Sequence, residues 1–186
     1  MAYFANFPLI DYDPTGSKNV KTIKDILTRV KVKTSVKNDY AVFERYDVKD
    51  GETPEAIAYR EYGNPELHWV ILLFNDITNP FFDWPLSTRV FEKYIRDKYT
   101  DPEAIHHYEI SQSSGSDTIK IRVASTVIGA SAISNYQYES DSNDKKKQIK
   151  LLQSRFLGQF IDEFNKQMAP GQIAIDSSRL FTPADY

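Results

Sequence analysis

The stretch Tyr62–Asp76, YGNPELHWVILLFND, places a helix–corner–helix signal beside the longest apolar run of the sequence. Gly63 is expected to end the first helix, because glycine tolerates the left-handed backbone found at helix C-termini. Asn64 and Pro65 are expected to begin the second helix, since asparagine caps a first turn and proline suits its first position. The sequence therefore predicts two helices joined by a tight corner, with the second helix over Glu66–Phe74.

Upstream of the corner, the pattern predicts a strand followed by the first helix. Tyr40–Val48 is strand-like, and the KDG turn after it ends at Gly51, where a positive φ is expected. Thr53 is the expected N-cap, with Pro54 at the first helical position. Glu61 interrupts the apolar face of this helix, and we interpret it as a buried or rim hydrogen-bond acceptor and not as a catalytic acid.

Three further helices are predicted from apolar residues at helical spacing. They are Asn19–Val30, a helix from Ser87 to about Lys98, and Phe156–Met168, which APG should end. Lys31–Asn38 between the first two alternates Val with Lys and is interpreted as an extended segment.

A β-hairpin is predicted between Ala104–Ile110 and Thr118–Ser125, two strand-like runs joined by a Ser- and Gly-rich connection. The segment that follows, Gln137–Lys147, is dense in charge and is interpreted as a solvated linker that divides the chain. Helices and strands in this order indicate an α+β protein.

Bulk composition excludes several classes of function. The formal net charge is −3, so no basic surface is available for nucleic acid or for an anionic membrane. The longest apolar run, Trp69–Phe74, is far below the roughly 20 residues of a membrane helix. The chain contains no cysteine, which excludes thiol catalysis and cysteine-ligated zinc. We therefore expect neither a nucleic-acid nor a membrane partner.

The candidates for chemistry are few. His106 and His107 are adjacent on a predicted strand, where neighbouring side chains point to opposite faces, so they are not expected to share a metal ion. His68 is interpreted as a hydrogen-bond donor at the edge of the second helix. With 7 glycines there is little material for a phosphate loop, and no carboxylate pair is embedded in apolar sequence. We therefore assign no catalytic, metal or cofactor site.

Aromatic residues outside the predicted core indicate a protein-binding surface. The N-terminal arm precedes any helix signal, and the helix over Phe156–Met168 follows the charged segment, so both are expected to contact a partner. The alternative is that both fold back onto their own domain. The candidate interface residues are Tyr3, Phe4, Phe7, Leu9, Trp69, Phe81, Phe82, Trp84, Phe160 and Phe164.

The order strand, helix, corner, helix resembles a LysM module, a small βααβ fold that usually binds N-acetylglucosamine-containing glycans. The resemblance rests on Tyr46, Val48, Gly51, Thr53, Ile57, Ala58, Leu73, Asn75, Ile77, Asn79 and Pro80. The residues expected to determine this fold are Gly51, Thr53, Pro54, Gly63, Asn64, Pro65, Asn75, Asn79 and Pro80. The last LysM strand is replaced by FFDWPLSTRVFEKYI, so we expect no useful affinity for glycans.

A second resemblance is more specific. The motif YGNPELHWVILLFNDITNPFFDWPLS, with DILTRV before it and HHYE and a late IKLL helix after it, resembles the LysM-like baseplate wedge subunits of contractile-tailed bacteriophages, the T-even gene product fifty-three family. This resemblance implies a structural protein of the virion tail baseplate, assembled in the host cytoplasm, present in six copies and joined to other wedge proteins and neighbouring wedges. A peptidoglycan-binding LysM module is the alternative.

These observations together predict four segments. Residues 1–38 form an N-terminal arm and short helix, 39–100 a small LysM-like βααβ domain, and 101–136 a β-hairpin region. Residues 137–186 form a charged linker, an amphipathic helix and a tail.

Overall fold

A computed structural model describes residues 3–13, 16, 20–112, 119–168 and 181–183. The described residues divide into two compact units. Unit 1 takes those within Met1–Asp47, Glu52–Asp83 and Ile149–Tyr186, and unit 2 those within Val48–Gly51 and Trp84–Gln148. The units do not follow the four consecutive segments predicted from the sequence, because the chain leaves unit 1 and returns to it.

Helices and small antiparallel sheets make up both units, which confirms a mixed α+β class. The strands are β1 (Leu9–Tyr12), β2 (Lys21–Lys24), β3 (Val30–Val32), β4 (Phe43–Asp47), β5 (Ile105–Ser111), β6 (Lys120–Val123), β7 (Ser131–Ser134), β8 (Gln148–Leu152) and β9 (Phe181–Pro183). The α-helices are α1 (Thr34–Lys37), α2 (Pro54–Tyr62), α3 (His68–Phe74), α4 (Pro80–Asp83), α5 (Thr88–Lys98), α6 (Asn135–Lys147) and α7 (Leu157–Met168). Single 3₁₀ turns lie at Tyr3–Asn6, Pro65–Leu67 and Ser154–Phe156.

The strands of the described residues form four small sheets, each of two or three short strands. In unit 1, β1 pairs with β2, β3 with β9, and β4 with β8; in unit 2 the order is β6-β5-β7. The β1–β2, β3–β9, β5–β6 and β5–β7 pairs are antiparallel. The predicted hairpin is therefore confirmed in β5 and β6, and β7 adds a third strand that the sequence did not predict.

The predicted corner between α2 and α3 is confirmed residue by residue. The Thr53 hydroxyl accepts a hydrogen bond from the backbone N–H of Ala56, with Pro54 beginning the helix. Gly63 ends α2 with φ 71°, in the left-handed region. The Asn64 side chain accepts from the backbone N–H of Glu66, and a 3₁₀ turn leads into α3. Local capping chemistry thus determines this part of the fold.

The core of unit 1 is aromatic and draws on distant parts of the sequence. Trp69 of α3 contacts Phe164 of α7, with ring centroids 4.6 Å apart, and Phe74 lies 6.2 Å from Phe160. Phe7 from the N-terminal arm joins this cluster. The other buried members are Val32, Phe43, Leu67, Val70, Leu152 and Met168.

Asn75 fastens β8 to the end of α3. Its side-chain oxygen accepts from the backbone N–H of Lys150, and its side-chain nitrogen donates to the carbonyls of Lys150 and Ile71, each at 2.8 Å. The Tyr62 hydroxyl also donates to the Leu152 carbonyl. Side chains of the two-helix segment thus hold a strand that lies far along the chain.

Unit 2 packs α5 and α6 with its three-stranded sheet around a small core. Phe91 and Ile95 of α5 are buried, and Phe91 meets the Tyr136 ring edge-on at 5.6 Å. The Ser87 side chain does not cap α5; instead the Asp50 carboxylate accepts from the backbone N–H and the hydroxyl of Thr88. The expected helix is therefore present, with a cap that comes from another part of unit 2.

The helix predicted over Asn19–Val30 is wrong in its described part. Lys21–Lys24 is strand β2, paired with β1, and the chain then turns at Asp25. The Asp25 carboxylate accepts hydrogen bonds from the backbone N–H groups of Leu27 and Thr28, a local pairing that competes with helix formation. The extended segment expected over Lys31–Asn38 is also only partly present, since α1 occupies Thr34–Lys37.

The charged segment Gln137–Lys147 is not a solvated linker but most of helix α6. The Ser134 hydroxyl caps the helix by accepting from the backbone N–H of Gln137. Two polar residues of its inner face, Glu139 and Asn143, are buried. The Asn143 side chain bonds both the N–H and the carbonyl of Leu86. Partners elsewhere in unit 2 therefore satisfy polar groups that the sequence alone presents as solvent-facing.

The helix expected at IKLL is a strand. Gln148–Leu152 pairs with β4 as β8, and α7 begins at Leu157. At one end the Val48 N–H donates to Lys147, and at the other the Gln153 N–H donates to Val42, so the two strands run antiparallel. In the sequence, the partner strand of β4 therefore follows α3 only after the longer segment of unit 2, which begins at Trp84.

Candidate protein interface

The N-terminal arm divides into a buried and an exposed part. Phe7 is buried, and Tyr3 contacts the rings of Trp69 and Phe164 at 5.5 and 5.6 Å. Burial raises the pKa of the Tyr3 hydroxyl, with Arg29 acting in the opposite direction. Phe4 remains 55% exposed. The arm therefore folds back onto its own unit but leaves one phenylalanine for contact.

After the arm comes a hairpin, β1–β2, whose eight residues are all exposed. Ile10 pairs with Ile23 and Tyr12 with Lys21 across the two strands. Paired residues lie on one face of a sheet, and these two pairs are two positions apart, so Ile10, Ile23 and Tyr12 share a face. Leu9, predicted as an interface residue, is exposed on the opposite face. The N-terminal hairpin thus presents an unpartnered apolar face.

An open groove of about 630 Å³ lies on unit 1 between the arm and the two-helix segment. Its lining is mainly apolar, with Arg29, Glu66 and His68 as its titratable members besides Tyr3. The lining residues are Tyr3, Phe4, Phe7, Ile26, Thr28, Arg29, Val30, Glu66, His68, Trp69, Leu72, Leu73, Ile77, Thr78 and Pro80. A groove of this kind suits apolar side chains of another chain.

Large exposed apolar side chains line the groove or follow its lining residues in the sequence. Phe81 and Phe82 follow Pro80 on the short helix α4 and are 88% and 73% exposed. Asn79 positions this turn, since its side chain accepts from the backbone N–H of Phe81. Ile26 and Leu27 are exposed where the chain turns at Asp25. We call Phe4, Ile26, Leu27, Phe81 and Phe82 the rim residues.

Five residues predicted for the interface lie instead in the protein's own cores. Phe160 and Phe164 are fully buried, at 0% exposed, because the apolar stripe of α7 packs against α3. Phe7 and Trp69 are buried in the same cluster, and Trp84 is buried in unit 2. The remaining five, Tyr3, Phe4, Leu9, Phe81 and Phe82, keep exposed or half-buried positions.

Sequence reasoning missed Ile26 and Leu27, because the helix expected over Asn19–Val30 placed them on an inward-facing stripe. A signal was present: Asp25 followed by Thr28 can form a side-chain-capped turn that exposes the residues between them. The groove itself depends on the folded-back arm and left no local trace in the sequence.

The residues considered for chemistry remain structural. Glu61 is exposed and pairs with Arg60 at 2.8 Å, outside the apolar face of α2. His68 Nδ1 donates to the Pro65 carbonyl at 3.0 Å, as expected. Among the described residues, no three side chains of His, Cys, Asp or Glu are grouped to hold a metal ion. Nor does any helix in the described part of the chain have the length and apolarity to cross a membrane.

The expectation that the side chains of His106 and His107 point to opposite faces of the strand is wrong. The register of β5 against β7 shifts between Ile105 and His107, and this bulge turns both imidazoles to the same side. The Nδ1 atoms of His106 and His107 are 2.8 Å apart.

Comparison with known proteins gives the biological context for this surface. The family described as Base plate wedge protein 53 matches residues 2–113. Baseplate wedge protein gp53 of Enterobacteria phage T4 is 25% identical over 141 residues, which cover 66% of this chain and 72% of that protein. These similarities support a structural, non-enzymatic role in the tail baseplate of a phage particle. Since the family match covers more than half of the chain, the protein belongs to the base plate wedge protein 53 family.

Proposed function

We propose that the protein is a wedge subunit that links neighbouring wedge proteins through the rim residues and the groove beside them. The observation that carries this proposal is the exposure of five large apolar side chains that line one open groove of unit 1, as Phe4 and Ile26 do, or follow its lining residues in the sequence. Contiguous exposed apolar surface on a folded protein marks an interaction site more often than scattered single residues do.

Covering this surface would supply a large favourable contribution to the free energy of assembly. Burying one Phe or Leu side chain contributes roughly 1.5–3 kcal/mol. Phe81 and Phe82 stand on a helix held by capping bonds at Asn79, so little order has to be gained when a partner covers them. Aromatic side chains of this kind commonly carry most of the binding energy of an interface.

The proposal also covers the copy number, the place of assembly and the partners. We propose six copies per baseplate, assembled in the host cytoplasm, with contacts to other wedge proteins and to neighbouring wedges. The net charge of −3 supports protein contacts over nucleic-acid contacts. The N-terminal hairpin supplies a second contact, because both faces of its two strands are exposed.

Binding to the other wedge proteins of the same phage tests the proposal directly. The full chain and a Phe81→Ser/Phe82→Ser variant are titrated against the purified partner wedge, with affinity measured by interferometry. We expect the variant to melt at the wild-type temperature and to bind about a hundredfold more weakly, since each tenfold loss corresponds to about 1.4 kcal/mol.

The matched control is Ile128→Ser, which removes a 96% exposed apolar side chain from unit 2. This variant should bind like the wild type. Equal affinity of the Phe81/Phe82 variant and the wild type would show that the rim residues are not the contact.

We also propose that unit 1 is LysM-like, with β4, α2, α3 and β8 as its βααβ elements and unit 2 inserted before the last strand. The pairing of β4 with β8 supports this order. No glycan-binding role is proposed. The prediction of negligible glycan affinity was based on a missing last LysM strand, a ground that β8 removes in this arrangement, so it stays a prediction for measurement. Calorimetric titration with chitin oligomers or peptidoglycan fragments checks it, and a dissociation constant tighter than about 1 mM, near 4 kcal/mol of binding, would contradict it.

A further inference from the structure

A cluster of His106, His107 and Tyr138 joins the sheet of unit 2 to helix α6. The His106 ring stacks on the Tyr138 ring, with centroids 4.0 Å apart and planes 13° from parallel. His107 meets the same tyrosine edge-on at 5.8 Å. The contact between β5 and α6 therefore includes two imidazoles that also touch each other.

The distance between the imidazoles sets a limit on their protonation. At 2.8 Å, the two Nδ1 atoms share one hydrogen bond, so one carries the proton and the other accepts it. This arrangement exists when the pair is neutral or carries one extra proton. When both rings are protonated, two N–H groups and two positive charges face each other, and the contact cannot persist.

The surrounding charges act on the pair from several elements. From β5, the Glu109 carboxylate lies 3.7 Å from Nε2 of His107, and from β6, Lys120 lies 3.9 Å from Glu109. Arg122 of β6, Lys98 of α5 and Glu139 of α6 also act on His106. Burial lowers the pKa of His106 below 6.5; His107, Arg122 and Lys98 lower it further, and Glu139 opposes them.

We propose that the His106–His107 pair is a pH-sensitive contact that holds Tyr138 of α6 against strand β5 near neutral pH and releases it when both imidazoles are protonated. The change is local to unit 2. It requires only protons, and it reverses when the pH is raised.

The direction of the effect follows from linkage. The folded state favours neutral His106, and the unfolded chain binds the proton first, near pH 6.5. The stability contributed by this contact is therefore fully present above about pH 6.5 and is lost as the pH falls through the lower folded-state pKa. Within that window the equilibrium constant for unfolding rises by up to about tenfold per pH unit.

The first test compares pH dependence among three full-length chains. His106→Phe keeps an aromatic ring for stacking but cannot titrate, and His68→Gln removes a histidine from unit 1 as the matched control. Opening of unit 2 is followed by hydrogen exchange in α6 between pH 8 and 5, with each rate corrected for the intrinsic exchange rate at that pH. The protection of α6 amides should fall on acidification in wild type and in His68→Gln, and should change less in His106→Phe. Equal pH dependence in all three chains would overturn the proposal.

A second measurement uses only the wild-type chain, so that it decides even when His106→Phe does not fold. With three histidines in the sequence, their ring resonances can be followed individually by NMR. We expect one histidine to titrate below pH 6.5 and the Tyr138 ring resonances to move with the same midpoint. Tyr138 resonances that stay fixed while His106 titrates would contradict the proposed release.

Discussion

The side chain of Asn75, at the end of α3, bonds the backbone of Lys150 in β8, 75 residues further along the sequence. Replacing it with alanine removes three hydrogen bonds and leaves the Lys150 N–H and carbonyl without that partner. We expect Asn75→Ala to lower the free energy of unfolding by about 2–4 kcal/mol, since unsatisfied buried groups cost more than a lost surface bond. Urea denaturation followed by Trp fluorescence measures this loss.

Asn79→Ala is the control for that substitution. Within the described residues its side chain accepts from a neighbouring backbone N–H in an exposed turn, so a loss of about 0.5–1 kcal/mol is expected. Similar losses at Asn75 and Asn79 would mean that the bonds to β8 contribute little.

Gly63 tests the corner between α2 and α3. A Cβ at this position meets no atom within 4 Å, so any cost of Gly63→Ala comes from the left-handed backbone, with φ 71°, and not from a clash. We expect a loss of about 1 kcal/mol in thermal or chemical denaturation.

Gly158→Ala is the comparison, because it is expected to raise the free energy of unfolding where Gly63→Ala lowers it. Gly158 lies in α7, where an added Cβ also meets nothing within 4 Å and the backbone is helical. Alanine should stabilise it by up to about 1 kcal/mol. A destabilised Gly158→Ala, or an unaffected Gly63→Ala, would contradict the conformational explanation.

At the scale of elements, local capping made α2 and α3 predictable, and tertiary partners made other elements unpredictable. The signals of Thr53, Gly63 and Asn64 lie within a few residues of the groups that they satisfy. Helix α6 has a local cap at Ser134, but its inner face gives no local signal of burial, because Glu139 and Asn143 are buried only in the presence of α5 and the chain at Leu86. The apolar residues around Asp25 do have helical spacing, but the chain forms a strand and a turn there instead of a helix.

Glu139 gives α6 a pH-dependent contribution. Lys98 and Tyr99 each donate to its carboxylate at 2.7 Å. Burial alone would raise the pKa of this carboxyl, but the bonds from Lys98 and Tyr99 outweigh burial and lower it. We expect Glu139→Gln to cost about 1–3 kcal/mol near pH 7 in denaturant unfolding.

The pH profile separates this bond network from simple packing. A lowered folded-state pKa means that the contribution is present above the ordinary value of 4.5 and is lost as the pH falls through the folded-state value. The difference between wild type and Glu139→Gln should therefore shrink on acidification. Asp144→Asn, which removes an exposed pair with Lys147, should change stability by less than about 1 kcal/mol at every pH. A constant difference for Glu139→Gln would assign its effect to packing.

Part of the candidate interface was predictable for a related reason. Phe81 and Phe82 follow an Asn–Pro pair, which begins the short helix α4, and both rings are exposed there. Phe160 and Phe164 were assigned to the interface because they lie on the apolar stripe of an amphipathic helix. Such a stripe indicates that another surface covers the helix, but it does not identify that surface. Only the folded chain identifies α3 as that surface.

At the scale of the whole molecule, two compact units predict two separable stabilities. Phe7 belongs to the unit 1 core, so Phe7→Ala should cost about 3–5 kcal/mol there. Hydrogen exchange by mass spectrometry should accelerate in α3 and α7 and stay unchanged in α5. Phe4→Ala, which truncates a largely exposed side chain, should leave all three helices within about 1 kcal/mol of wild type. Equal acceleration in α5 would show that the units unfold together.

The return of the chain to unit 1 orders events during synthesis. A ribosome releases α3 early, but Leu152, Phe160 and Phe164, which cover its apolar side, emerge only after all of unit 2 has been made. Unit 2 can therefore finish folding first, while the nascent α3 waits with Trp69, Val70 and Phe74 uncovered by their partners. The exit tunnel still encloses β8 and α7 when synthesis ends. Translation pauses after α3 has left the tunnel should accordingly lengthen the time during which a chaperone can recognise this helix, whereas a delay after chain release should not.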